Sequence, residues 1–141
     1  MLAAFSTRRN LIPTLVLLAV GALSAIAAIV IGIDDNPPGI LLAFLAAVAL
    51  ILAFAHPWRT ARKYMYLLLA SVLGIVLFII LNVTSDLIAQ NPTTPESLKT
   101  LIQSPACEAL TVVFAMILPA AFIVGAIGSI AMFIRNRRRT T

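Results

Sequence analysis

Charged residues are scarce in this chain, and the shortage indicates the class of protein. Asp, Glu, Lys and Arg make up 11% of the 141 residues, whereas 62% are hydrophobic. A soluble domain carries about 25% charged residues. So few charges could not cover a water-facing surface, which excludes a soluble globular domain and indicates that most of the chain lies in lipid. No long polar stretch interrupts the sequence, so we expect one domain over residues 1–141.

The chain has a single cysteine and none of the short motifs of common enzymes. Cys107 is the single cysteine, which excludes an internal disulfide, a C-x-x-C redox pair and a thiolate metal site. The chain contains no G-x-x-x-x-G-K-S/T, no G-x-G-x-x-G and no H-E-x-x-H sequence. A nucleophile, a base and an oxyanion donor cannot be placed together on one side of a membrane. We therefore expect no catalytic residues and no enzymatic activity.

Long apolar runs are what the sequence does contain. Four stretches without charge cover residues 11–33, 40–58, 64–85 and 109–134. A helix of roughly 20 residues crosses the hydrocarbon layer, and backbone groups in lipid must be hydrogen-bonded within their own segment. The sequence therefore predicts an all-α integral membrane four-helix bundle. In the loop before the fourth span, Thr94 as N-cap and Pro95 as first residue predict a short helix on the outer surface, and Ser104 with Pro105 predicts the next helix start.

The few charges are sorted by side of the membrane. All five acids lie in the first and third loops. The residues that we expect at the inner lipid headgroups are Trp58, Arg59, Arg62, Lys63, Arg135, Arg137, Arg138 and Arg139. The positive-inside rule then places both termini in the cytoplasm. The terminal arginines lack an aromatic platform, so we expect lipid rather than nucleic acid as their partner. The first apolar run is longer than an export-signal core, so we expect it to be retained as a span.

Small residues recur on one face of the first and fourth spans. The helix-packing residues that we expect are Gly21, Ala25, Ala28 and Gly32 in the first span, and Ala121, Gly125 and Gly128 in the fourth. Helices in lipid associate through close backbone approach at such residues. Two interpretations are open: the faces pack within the chain, or one of them, foremost that of the fourth span, binds a partner helix.

Three groups of polar residues are candidates for a site. His56, the single histidine, either ends the second span at the membrane interface or ligates a haem or chlorin together with a partner chain. The outer acids Asp34, Asp35, Asp86 and Glu108 either follow from topology alone or form a rim for a divalent cation. No charge lies inside a predicted span, which argues against a proton relay or ion path. We therefore expect neither a metal nor a cofactor held by this chain alone.

The hairpin IDDNPPGILLAFLAAVALILAFAHPWR, residues 33–59, joins an acidic turn to an apolar helix and a basic loop. Asn36 can cap the second helix, and Gly39 relieves crowding where the two backbones meet. The hairpin resembles that of small uncharacterised bacterial multi-pass membrane proteins, over about the first half of the chain. The resemblance implies a bacterial plasma (inner) membrane and no particular activity.

The expected function is that of a non-catalytic accessory subunit in a larger membrane complex, such as a respiratory, photosynthetic or transport assembly. Its partners would be membrane lipids and other integral membrane subunits, which fits clean spans and small-residue faces. One alternative is a homo-oligomeric small channel or transporter, with Ser71 or Asn82 facing the pore. A second alternative is a subunit that helps to hold a haem, chlorin, quinone or carotenoid, in which case His56 is the candidate ligand.

Overall fold

The computed structural model describes residues 8–33 and 36–137, apart from the side chains of Arg8 and Arg9, and this part of the chain is helical with short connections. The five helices of the described part are α1 (Arg8–Ile31), α2 (Pro37–Ala55), α3 (Ala61–Gln90), α4 (Glu96–Ile102) and α5 (Pro105–Arg137). Helices α1, α2, α3 and α5 are long and apolar enough to cross a membrane. The predicted all-α chain with four such helices, and with a short helix before the last, is confirmed.

Helix α3 extends beyond its predicted apolar span. It continues to Gln90, so Asp86 lies on a helix and not in a loop, and Glu108 likewise lies in the first turn of α5. The sequence lacks a helix breaker after the apolar run until Pro92, whose ring disfavours helical geometry at the preceding residue. The end of an apolar run therefore marks a change in polarity, whereas the helix itself ends at the proline. The apolar runs 64–85 and 109–134 themselves contain no charge, and Asp86 and Glu108 lie just beyond them in the same helices.

The α1–α2 hairpin closes on two glycines and one asparagine. Gly32 adopts a positive φ of 91°, which favours glycine, and ends α1. A Cβ on Gly39 would collide with the carbonyl group of Gly32, so the two backbones touch where the sequence predicted. Asn36 stands at the N-cap position of α2 but makes no cap hydrogen bond there. Its Nδ2 donates to the carbonyl of Ile31 at 3.0 Å, so its side chain closes the end of α1 instead.

The connection between α3 and α5 shows one wrong and one correct cap prediction. Thr94 does not cap α4: the N-cap is Pro95, and the Thr94 hydroxyl donates to the carbonyl of Ile88 at 2.8 Å. Ser104 does cap α5, because its Oγ accepts a hydrogen bond from the Cys107 backbone N–H at 3.4 Å. The Ile88 carbonyl also accepts the backbone N–H of Asn91 at 3.3 Å, so two donors close the end of α3.

The helices pack in an order that differs from their order in the sequence. Helix α1 packs along α2, α2 along α5, and α5 along α3, so α2 and α5 are the central elements of a row. The buried hydrophobic residues are Ala28, Ala46, Ala47, Ala49, Ala53, Ala55, Tyr64, Ala120, Ala121 and Val124. Eight of these ten are alanines, so the contacts come from close backbone approach, as expected for helices that associate in lipid.

Tyr64, in the first turn of α3, contacts the end of α2 and the last part of α5. Its hydroxyl donates to the carbonyl of Ala55 at the end of α2, at 2.8 Å. Its ring packs edge-on against Trp58, with 5.4 Å between ring centroids. A Cβ on Gly128 of α5 would run into the same ring, so that glycine makes room for it. Tyr64 is 7% exposed, and it fixes the end of α2 against α3 and α5.

Candidate functional site

The small-residue face of α5 is occupied by α3. A Cβ on Gly125 would lie 2.8 Å from the backbone nitrogen of Leu68, so the two backbones approach closely. Ala121 is buried, and Gly128 receives the ring of Tyr64. This face packs within the chain, as the first of the two interpretations has it, and in this structure it is not free to bind a partner helix.

The small-residue face of α1 packs on α2. A Cβ on Gly21 would lie 3.0 Å from the side chain of Leu50, and Ala28 is 1% exposed. Ala25, between them, is only half-buried, and Gly32 ends the helix. One edge of this face therefore remains open beside the contact with α2.

That edge belongs to an apolar groove between α1, α2 and α5, which we call the alanine groove. It encloses about 260 Å³. Its lining side chains are apolar and include Ala25 and Ile29 of α1, Ala43 and Ala46 of α2, and Val113 of α5. The groove exists because α2 and α5 are neighbours while α1 packs on α2. Sequence analysis missed it, since small residues on the second span could not be assigned to a particular neighbour.

A second groove lies between the end of α3 and the start of α5, and we call it the outer groove after the side of the membrane on which the sequence predicts it. It encloses about 450 Å³. The apolar part of its lining includes Phe78, Leu81, Leu110 and Phe114, and the polar part includes Asn82, Ser85, Asp86, Gln103, Cys107, Glu108 and Thr111. Asp86 and Glu108 were expected among four outer acids, and the structure brings these two to one groove. Asp34 and Asp35 lie outside the described residues, so the rim of four acids stays a prediction.

The polar groups of the outer groove differ in whether they have partners. The Asn82 Nδ2 donates to the carbonyl of Phe78 at 2.8 Å, and the Thr111 hydroxyl donates to that of Cys107 at 3.0 Å. The carboxylates of Asp86 and Glu108 form no hydrogen bond or ion pair with any described residue. The groove therefore carries two negative charges that this part of the chain does not neutralise.

The outer groove is a poor metal site by its donor set. Within residues 8–33 and 36–137, no three His, Cys, Asp or Glu side chains are grouped closely enough to hold a metal ion. A calcium ion takes six to eight oxygen ligands, typically several of them carboxylates. Two carboxylates and a few groups that already bond to their own helices do not supply such a shell.

His56 caps the end of α2 and is turned into the protein. Its Nδ1 lies 3.2 Å from the carbonyl of Ala53. Its Nε2 is buried and has no hydrogen-bond partner among the described residues, and the same is true of Ser129 Oγ. A haem or chlorin would need the free nitrogen to face an open space. In this arrangement the protein's own atoms cover it, so the side chain would have to move before it could bind a cofactor.

Apart from Lys99 of α4, the described basic side chains gather at the end of the helices where Tyr64 lies. Arg59, Arg62 and Lys63 lie beside the α2–α3 connection, and all three are exposed. Arg135 and Arg137 are exposed in the last turn of α5, and the guanidinium of Arg137 lies 5.1 Å from the centre of the Phe133 ring. Trp58 is half-buried against Tyr64. Arg138 and Arg139 lie outside the described residues.

The two side chains considered for a pore are satisfied within their own helix. Ser71 is 2% exposed, and its hydroxyl donates to the carbonyl of Leu68 at 2.8 Å. Asn82 bonds to its own helix in the same way and borders the outer groove. The Ser71 hydroxyl therefore has no donor left over, whereas the Asn82 amide has a second N–H and its carbonyl oxygen.

The chain matches no protein-family model, and no curated protein and no solved structure is significantly similar to it.

Proposed function

We propose that the protein is a non-catalytic subunit of a larger membrane assembly and that a transmembrane helix of another integral membrane protein packs in the alanine groove. The single observation that carries this proposal is the groove itself, which is open, apolar and bordered by three helices. The proposal includes a bundle that spans a bacterial plasma membrane with both termini in the cytoplasm.

The case for a helix as the occupant rests on side-chain size. The exposed faces elsewhere carry large residues, such as Leu69, Leu73 and Leu77 on α3, which suit contact with lipid chains. Five of the twelve residues that line the alanine groove are alanines, among them Ala25 and Ala43, and larger residues such as Ile29 border them. Small residues let a second backbone come close, and close backbone contact drives helix association where burial of apolar surface adds little.

The charge distribution supports the orientation. Among described residues, the exposed cations Arg59, Arg62, Lys63, Arg135 and Arg137 lie at one end, and Asp86 and Glu108 lie at the other. Cytoplasmic loops of membrane proteins carry an excess of Lys and Arg. The alanine groove then opens between helices at the depth of the hydrocarbon layer, where only apolar partners are stable.

Filling the groove tests the proposal. Ala43→Phe places a ring in the groove, and Ala70→Phe places the same ring on an exposed position of α3 as a matched control. Tagged proteins are extracted gently from the native membrane, and the mass of each purified particle is measured. We expect the wild type and Ala70→Phe to carry the same partner, and Ala43→Phe to lose it while the purified protein keeps its helical content.

Two results would overturn the proposal. One is migration of the wild type as a lone 15.0 kDa monomer with no partner after gentle extraction. The other is equal recovery of the partner with Ala43→Phe and with Ala70→Phe, which would mean that contact is made elsewhere.

A further inference from the structure

We propose that the outer groove is a binding site for a quaternary ammonium group attached to a small apolar body. This inference concerns a different face of α5 from the one at the alanine groove, and it does not rest on the proposed function. It is argued from the charge, the aromatic lining and the size of the groove.

The charge of the groove indicates that its ligand is a cation. Asp86 and Glu108 lie on facing helices and border one groove, and no cation among the described residues pairs with either of them. Two carboxylates that border one groove make it electronegative, and a bound cation would interact favourably with both. The neighbouring amide of Asn82 and hydroxyl of Thr111 donate to their own helices and carry no charge, so the carboxylates are the charged acceptors of the groove.

The aromatic lining gives the kind of cation. Phe78 of α3 and Phe114 of α5 both border the groove, together with Leu81 and Leu110. Aromatic faces attract quaternary ammonium groups, whose positive charge is spread over apolar methyl or methylene groups. A metal ion needs more oxygen ligands than the groove supplies, and a hydrated ammonium would gain little from phenyl rings. A quaternary ammonium group suits both the carboxylates and the rings.

The size of the groove limits the ligand to a small molecule or headgroup. Its volume of about 450 Å³ is within the roughly 300–1,000 Å³ of small-molecule sites. Apolar side chains border one part of the groove and acids another, so an apolar body would contact the leucines and phenylalanines while the charged nitrogen faces the carboxylates. A soluble amphipathic cation and a choline lipid headgroup share this chemistry.

The test is equilibrium binding of benzyltriethylammonium to the full chain in uncharged maltoside micelles. We expect saturable binding that weakens about fivefold in Asp86→Asn and in Glu108→Gln, the size of effect that a partly exposed charge pair gives. Glu96→Gln is the matched control, because Glu96 is an acid of α4 on the same side of the molecule that does not border the groove. Binding should also weaken as sodium chloride is raised, since salt screens the carboxylates.

Three outcomes would overturn the proposal: no saturable binding to the wild type, equal binding to the Asp86→Asn/Glu108→Gln double variant, or equal binding of the uncharged analogue in which carbon replaces nitrogen. Competition with phosphatidylcholine separates the two sources of the group. Displacement of the probe assigns the site to a lipid headgroup, and retention of the probe assigns it to a soluble cation.

Discussion

At the scale of single residues, Gly32 and Gly39 of the hairpin are required for different reasons. Gly32 needs its positive φ of 91°, although nothing lies within 4 Å of a Cβ built there. Gly39 needs its missing side chain, because a Cβ would strike the backbone of Gly32, which cannot rotate away. Each glycine therefore meets a constraint that the other does not.

Substituting these glycines should have unequal effects on stability. Gly32→Ala should lower the free energy of unfolding by about 1–2 kcal/mol, the cost of a left-handed conformation. Gly39→Ala should lower it by about 3 kcal/mol, since overpacking against a backbone forces the helices apart. Denaturant unfolding in detergent measures both. A Gly39→Ala protein that is more stable than Gly32→Ala would contradict the close contact.

Asn36 and Thr94 show what the sequence could not decide at this scale. Both were predicted to cap the helix that follows, and both instead bond to a carbonyl of the helix that precedes. A short polar side chain between two helices has orphan carbonyls behind it and orphan N–H groups ahead of it. Only the three-dimensional course of the connection selects between them. Ser104, like Asn36 and Thr94, stands directly before a proline, and of the three only Ser104 bonds to an N–H of the helix that follows.

At the scale of helices, the α3–α5 pair is held by contacts of different rigidity. Gly125 faces the backbone of Leu68, whereas Gly74 faces the end of the Leu118 side chain. Residue numbers rise along one helix as they fall along the other, so the two helices are antiparallel neighbours. The first contact fixes the distance between the helix axes, and the second can adapt by a change of rotamer.

Adding one methyl group at each position should distinguish these contacts. Gly125→Ala should lower the free energy of unfolding by about 2–3 kcal/mol, because the backbones must separate. Gly74→Ala should change it by less than about 1 kcal/mol, because Leu118 can move and alanine favours the helix. Thermal unfolding in one detergent compares them. Equal losses would mean that the helix distance is not set at Gly125.

The helices themselves were largely readable from the sequence, whereas their neighbours were not. Four apolar runs predicted α1, α2, α3 and α5, since lipid forces an apolar segment to be helical. The spatial order α1, α2, α5, α3 and the two grooves that it creates depend on which small-residue faces meet. Alanines occur on several faces, and Ala43 gives no sequence indication of whether α1, α3 or α5 lies beside it. Asp86 could have been assigned to a helix by following the chain to Pro92.

At the scale of the whole molecule, the proposed orientation predicts which ends are accessible from each side. A membrane-impermeant maleimide added to intact cells should label Cys107, which lies half-buried in the first turn of α5 on the acidic side. In a Cys107→Ser background, Thr60→Cys in the basic connection should be labelled only after permeabilisation. The reverse pattern would contradict the positive-inside assignment.

Photo-crosslinking in the native membrane tests most directly whether a partner helix occupies the alanine groove. A photoreactive side chain replaces Val113, which borders the groove and is 48% exposed, or Val72 of α3, which is 43% exposed on the far side of the row. The proposal predicts one adduct of defined mass from Val113, containing a second membrane protein, and only lipid adducts from Val72. Lipid adducts alone from both positions, or the same protein adduct from both, would contradict a partner helix in the groove.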